Sequence, residues 1–313
     1  MERVLGIDIG GTSIKAGLFS RDGELQGVTK MATGKIVGDA ALAGVACNLV
    51  DFLAANGASA SDVVGVGLDV PGPVSRDGTV GMLPNIELDA EGLKVALQDS
   101  FPRAELAFAN DVNAAALGEL WQGAARDVSS FVLVALGTGV GAGVVVDGKL
   151  VAGAFGAGGE IGHLTVCADE ATACGCGRHG CLEQYASASG VVSAYRMRCS
   201  QRGIDPVPLE GPTDTLSVFE AHRAGDEAAR DAVSLMCDRL GFAFAQVSVI
   251  IDPELYLVGG GMGEGFDLFA HELREAFKRY CMPMSSHACI EPAALGNEAA
   301  LYGGAYLALQ RLC

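Results

Sequence analysis

One glycine-rich stretch, Gly158–Glu183 (GGEIGHLTVCADEATACGCGRHGCLE), holds residues with the types and spacing of a metal site. His163 is followed by Cys174, Cys176 and Cys181. One imidazole and three thiolates make a complete tetrahedral set for a structural Zn²⁺. Gly175, Gly177 and Gly180 let the chain wrap closely around a small ion. The competing reading is a cluster of buried or redox-active thiols. Cys167 is a spare thiol able to replace His163, but the strand-like run Leu164–Cys167 argues against that. Glu160 and Glu183 flank the ligands. With one His163 nitrogen on a metal and the other turned outward, the three side chains form a grip for adjacent hydroxyl groups. The plain alternative for each glutamate is a solvated carboxylate. Glu183 also suits the dipole at the start of a helix expected over Leu182–Arg198.

A second chemical centre lies at Asn110-Asp111, between a strand expected over Ala104–Ala109 and a helix over Ala114–Trp121. A carboxylate between strand end and helix start can serve as a general base, taking a proton from an attacking hydroxyl, with Asn110 bonding to the same region. It can equally be a helix N-cap.

Two glycine turns add an anion site. Val4–Ile9 leads through Asp8, Gly10, Gly11 and Thr12 to a second strand, Ser13–Phe19, which carries Lys15. Backbone amides and the Thr12 hydroxyl can face a phosphate, Asp8 can orient Mg²⁺ through water, and Lys15 supplies charge. Alone this is an ordinary hairpin. Ala135–Leu150 repeats it: a strand, the turn with Thr138 and Gly139, Ala-Gly, a strand, Asp-Gly and Leu, as in the first copy. Such internal similarity implies a duplicated unit with a nucleotide clamped between the copies. Gly260, Gly261 and Met262 follow a strand at Glu254–Val258 and allow a planar ring or ribose to approach the backbone. Asp226–Ile251 reads as a long helix ended by Asp252-Pro253, with further helices over Gly265–Tyr280 and Asn297–Arg311.

The totals set limits. At 313 residues and 50% hydrophobic, the chain can bury two cores. A formal charge of −17 disfavours nucleic acid as a partner. The uncharged run Val128–Val146 nears the length of a membrane helix, but its glycines and β-branched clusters favour two buried strands, and no membrane partner is expected. A chain this long needs no disulfide scaffold, and the opening MERVLGIDIG lacks an apolar signal region. The expected compartment is a reducing cytoplasm.

Taken in order, DIGGT, PGP, NDVNAAALGE, LGTGVGAG, GAGGEIGH, CGCGRHGCLE and VGGGM resemble the ROK family of sugar kinases and repressors, over nearly the whole chain. The resemblance implies an α/β, actin-like (ribonuclease H-like) duplicated fold of two domains, with sugar and ATP meeting in the cleft. The expected domains are 1–112 plus the C-terminal helix at about 297–313, and 113–296 carrying the loop 158–183. It further implies Asp111 as catalytic base, and sugar contacts from Asn85, Asn110, Asp111, Glu160, His163 and Glu183, with Gly72 nearby. Zinc falls on His163, Cys174, Cys176 and Cys181, phosphates on Gly10–Thr12 and Thr138-Gly139, and adenosine on Gly260–Met262. CGCGRHGCLEQYASASG is most similar to the glucokinase branch. The expected activity is therefore phosphorylation of glucose by ATP with Mg²⁺, the alternatives being N-acetylmannosamine, N-acetylglucosamine, allose or fructose. A homodimer or homotetramer is the family expectation. The family's DNA-binding regulators place a helix-turn-helix before the core; DIGGT starts at Asp8 here, so a kinase is expected in preference to a regulator.

Overall fold

The computed structural model describes residues 1–83 and 86–312; Asn85, expected to touch sugar, lies outside the described residues. The first half opens with β1 (Arg3–Ile9), β2 (Ser13–Ser20) and β3 (Leu25–Ala32), then α1 (Asp39–Ala55), β4 (Val63–Val70), α2 (Ala90–Ser100), β5 (Glu105–Asn110) and α3 (Asp111–Gln122). The second half repeats the order with β6 (Phe131–Leu136), β7 (Val140–Val146) and β8 (Lys149–Leu150). After these come α4 (Glu183–Ala186), α5 (Ala188–Arg202), α6 (Thr215–Arg223), α7 (Glu227–Ile251), β9 (Leu255–Gly259), α8 (Ala270–Tyr280), β10 (Cys289–Pro292) and α9 (Ala299–Gln310).

The sheets run β3-β2-β1-β4-β5 and β8-β7-β6-β9-β10, the same order from corresponding strands. In each, the first two pairs are antiparallel and the last two parallel. The repeat between the two glycine turns is therefore a repeat of whole sheets. Val128–Val146 contributes β6 and β7, as its β-branched clusters require.

The two closing helices exchange sheets. α3 follows β5 but covers β6 and β7; α9 follows β10 but covers β1 and β4. The helices meet where Gly303 lies on the Ala114 carbonyl, and α9 meets the sheet where Gly67 of β4 lies on the Gly304 carbonyl, contacts that a Cβ would block. Glu119, fully buried, fixes the crossing: its Oε1 accepts from the amides of Ala294 and Leu295, and its Oε2 from Ala124.

On the other face of the first sheet, Leu42, Leu49 and Leu53 of α1 and Leu93 and Leu97 of α2 close a core. On the second, α5, α7 and α8 do so through Val191, Leu240, Phe244 and Phe277. α7 is long and apolar enough to cross a membrane by length and composition, with half of its most apolar window buried in this core.

Three local expectations change. The helix expected over Leu182–Arg198 breaks at Ser187, whose backbone is extended and whose hydroxyl accepts from the Gly190 amide. Leu164–Cys167 forms no strand; Thr165 makes only an isolated bridge to Cys181. Gly265–Tyr280 divides into a 3₁₀ segment, Gly261–Leu268, and α8, because Phe269 leaves helical geometry.

Candidate functional site

His163, Cys174, Cys176 and Cys181 converge, one ligand atom from each lying within 4.8 Å of all the others. Cys176 Sγ is 3.6 Å from Cys181 Sγ, and Cys174 Sγ is 3.9 Å from His163 Nδ1. Tetrahedral Zn²⁺ with bonds near 2.3 Å to sulfur needs sulfurs about 3.8 Å apart, so the donor set and its spacing both fit. Cys167 stays outside the group. Nδ1 faces the thiols, leaving Nε2 as the outward nitrogen. The loop is held by local pairing: the Val166 amide donates to the Gly180 carbonyl and the Leu182 amide to the Leu164 carbonyl. Arg178 Nη1 reaches the His163 carbonyl at 3.3 Å. The thiols differ electrostatically. The Arg178 amide lowers the Cys176 pKa, whereas burial pushes Cys181 up to about 12. A thiol of the second kind becomes a thiolate only when a cation takes the proton's place.

Glu183 ties this loop to the second glycine turn. Its Oε2 accepts from the Val140 amide at 3.1 Å, and its Oε1 lies 3.9 Å from Cys174 Sγ. Gly139 lies against it, and a Cβ there would displace Oε2 from its present place. One carboxylate oxygen is thus committed to the fold, where two were expected for a ligand. Glu160 is exposed, and its carboxylate has no protein partner among the described residues. The Ala188 amide donates to the Gly137 carbonyl, bringing the start of α5 to the same turn. Together Thr138, Cys174, Glu183, Ser187, Ser189 and Gly190 line a cavity of about 430 Å³. Sequence reasoning missed Ser187–Gly190 as site residues. Their signal was Ser-x-x-Gly, a cap hidden inside a helix-forming run.

At the first half's strand ends, the cap of α3 is Asn110 and not Asp111. Asn110 Oδ1 accepts from the amides of Val112 and Asn113, and its Nδ2 donates to the Gly72 carbonyl and to Asp111 Oδ1. Asp111 is the first residue of the helix. Its Oδ1 accepts from Asn110 and the Val112 amide, while its Oδ2 has no protein partner among the described residues. Burial raises its pKa, opposed by the Val112 amide and reinforced by the charge of Asp8. One oxygen is fixed and the other offered, with basicity moved towards neutral pH, as a general base requires.

Asp8 lies beside Lys15 on β2, Nζ to Oδ2 3.5 Å, and opposite Asp69 on β4. Lys15 also reaches the Asn297 carbonyl, at 3.4 Å. The Gly10–Thr12 turn is held from β3: Thr33 Oγ1 donates to the Gly10 carbonyl at 2.6 Å. In the second half Gly260, at φ 76°, presses on the end of β6, and the Met262 side chain turns into the core. Only the Met262 backbone is left to face a ligand.

Asp69 was also missed. It is fully buried, and neither carboxylate oxygen has a hydrogen-bond partner among the described residues. Burial first, then the charges of Asp8 and Asp111, raise its pKa well above the ordinary carboxylate range. The folded state therefore keeps a proton that the unfolded chain releases near its own pKa of about 3.9. The stability linked to that proton is fully present below the unfolded value and is lost as pH rises towards the folded one. Asp69→Asn, neutral throughout, should flatten this fall. Urea midpoints from pH 4 to pH 8 check it: the variant should gain on the wild type as pH rises, and parallel profiles would remove the account.

Comparison with known proteins gives a match to the model of the ROK family over residues 4–311. The chain is 33% identical to a glucokinase of Halalkalibacterium halodurans, over 98% of this chain and 95% of that one. It is 32% identical to an N-acetyl-D-glucosamine kinase of Escherichia coli, over 97% of this chain and 98% of that one. A ROK family glucokinase from Streptomyces griseus, solved in complex with glucose and AMPPNP, superposes with a TM-score of 0.76 at 32% identity, covering 98% of this chain and 99% of that one.

Proposed function

The chain belongs to the ROK family, and on that premise we propose that it is an ATP-dependent hexose kinase, transferring the γ-phosphoryl group of ATP to the 6-hydroxyl of glucose. The observation that carries the mechanism is Asp111: Oδ1 is anchored by two donors and Oδ2 has no protein partner among the described residues. Oδ2 accepts the proton of the sugar hydroxyl as that oxygen attacks phosphorus. Asn110 holds Asp111 and Gly72 together, so the base and the turn after β4 keep one geometry.

His163 Nε2, Glu160 and the unshared part of Glu183 bind sugar hydroxyls, which fixes the acceptor before transfer. The glycine turns at Gly10–Thr12 and Thr138-Gly139 receive phosphate oxygens, with the start of α5 beside the second. Gly260–Met262 offers backbone to the adenosine. Asp8 would hold Mg²⁺ through water, and the ion would supply neutralisation of the phosphate charge. His163, Cys174, Cys176 and Cys181 would hold Zn²⁺, which would order the sugar-binding loop. The protein acts in the cytoplasm, in glycolysis, as a homodimer or homotetramer. Its domains are 1–112 with about 297–313, and 113–296.

Coupled ADP release measured across a hexose panel with ATP and Mg²⁺ tests this. Glucose should give the highest kcat/KM. N-acetylglucosamine is the second reading, favoured by the N-acetyl-D-glucosamine kinase relative; a higher kcat/KM for it than for glucose would move the specificity there. No sugar-dependent ADP release with any hexose would end the kinase reading.

A further inference from the structure

A cavity of about 580 Å³ opens beside the start of α3, sharing Asn110 with the residues just described. Asp111, Glu160, His163, Glu183 and Thr138 do not line it. Its walls come from both halves: Val74–Arg76 and Phe108–Asn110 from the first, Gly148–Leu150 from the β7–β8 turn of the second, and the last turns of α9. Val74, Phe108 and Asn113 are buried and form the floor, whereas Arg76, Lys149 and Arg311 are exposed and form the rim.

Three features point to a ligand. First, every charged residue lining the cavity is a cation, in a chain where acids outnumber bases 38 to 21. Second, Arg76, Lys149 and Arg311 make no ion pair among the described residues, although most of the chain's ion pairs use exposed bases of the same kind. Three unpaired cations around one opening concentrate positive potential where an anion enters. Third, Asn113 is 3% exposed and its Oδ1 has no partner among the described residues. A buried acceptor of this kind is costly unless a donor reaches it. The site thus calls for an anionic group at the rim and a hydroxyl or N–H donor at the floor. Between them the apolar faces of Phe108 and Tyr306 suit a compact ring.

We propose that this cavity is a second ligand site, for a phosphate monoester carried on a hydroxyl-bearing ring. The phosphate sits among Arg76, Lys149 and Arg311, and a ring hydroxyl donates to Asn113 Oδ1. Because both halves line the cavity, the ligand bridges them and resists their relative movement. Because Asn110 both lines the cavity and holds Asp111, occupancy is felt at the base. A sugar 6-phosphate has this chemistry. Its identity as the enzyme's own product rests on the kinase reading; the site itself does not.

Calorimetric titration tests the site without turnover. Glucose 6-phosphate, AMP and inorganic phosphate are titrated separately into the full chain, without ATP and with glucose at saturation. The glucose 6-phosphate titration is repeated on the double variant Arg76→Ala/Lys149→Ala and on Asn113→Ala. One equivalent of glucose 6-phosphate should bind in the presence of glucose, with Kd raised tenfold or more in the double variant and in Asn113→Ala. The double variant should keep its basal rate of ADP release and lose inhibition by added glucose 6-phosphate. AMP binding more tightly, with the same sensitivity to the double variant, supports the site and assigns it to a nucleotide source. Inorganic phosphate binding as tightly as either ester would overturn the ring and its hydroxyl. Kd unchanged in the double variant, displacement by glucose, or no binding of any probe at 10 mM would overturn the site. Failure of the kinase reading shows separately, as absent sugar-dependent ADP release from a protein that still binds the ester.

Discussion

Asp111→Asn should lower kcat by about 10²–10⁴-fold, the usual contribution of a positioned general base. The amide keeps an oxygen for the Val112 N–H, so the start of α3 should hold, and the melting temperature should stay close to that of the wild type. What disappears is the second oxygen, which has no protein partner among the described residues and is the proposed proton acceptor. Loss confined to the transition state lowers kcat with little change in sugar affinity, and calorimetry with glucose separates the two. The pH profile gives a second signature. Burial raises the Asp111 pKa, so the base is progressively protonated as pH falls through a value above the ordinary carboxylate range. The wild-type kcat/KM should therefore fall on the acid side with a slope approaching one, and the residual activity of Asp111→Asn should lack that limb. A variant retaining wild-type kcat would remove Asp111 from the chemistry.

The sequence carried most of the architecture because duplication leaves marks that need no structure. Asp22-Gly23 and Asp147-Gly148 close the same turn in two sheets, and the two glycine turns precede equivalent strands. The candidate metal cluster was legible because its four residues lie within one short loop. Other parts depended on geometry that spacing does not encode. Asn110 and Asp111 are both good caps, and only the path of the chain from β5 decided that Asn110 takes the amides. That choice leaves an Asp111 oxygen available. Asp69 lay hidden in a run that reads as an ordinary buried strand; its meaning came from lying opposite Asp8. Ser187 interrupts a run that reads as one helix, so the break appears only where Ala188 bonds to Gly137. The cavity behind α3 was beyond sequence reasoning, since its rim joins three segments far apart in the chain.

Cys181→Ser should reduce bound zinc from one equivalent per chain to none, measured by metal analysis of freshly purified protein, and should lower both melting temperature and kcat/KM. Cys181 is fully buried, and its thiol lies 3.6 Å from that of Cys176. A serine hydroxyl is a poor substitute for a thiolate on Zn²⁺, and binding to closed structural sites contributes about 10–16 kcal/mol to folding in small zinc domains. Here a large core remains, so the loss should be local before it is global. The path of damage follows the bonds: Cys181 leads through buried Leu182 to Glu183, and Glu183 holds the Val140 amide after the second glycine turn. Releasing the metal therefore frees His163 on the sugar side and the Thr138-Gly139 turn on the phosphate side. A loss of kcat/KM of at least about 10–100-fold is expected, the range for disrupting the support of a metal site. Cys167→Ser is the control. Its thiol lies outside the four-ligand cluster, so zinc content and activity should be retained. Zinc retained in Cys181→Ser, or lost in Cys167→Ser, would mean that a different ligand set holds the loop. An active, freshly purified wild type without zinc would mean that pairing within the loop alone orders the site.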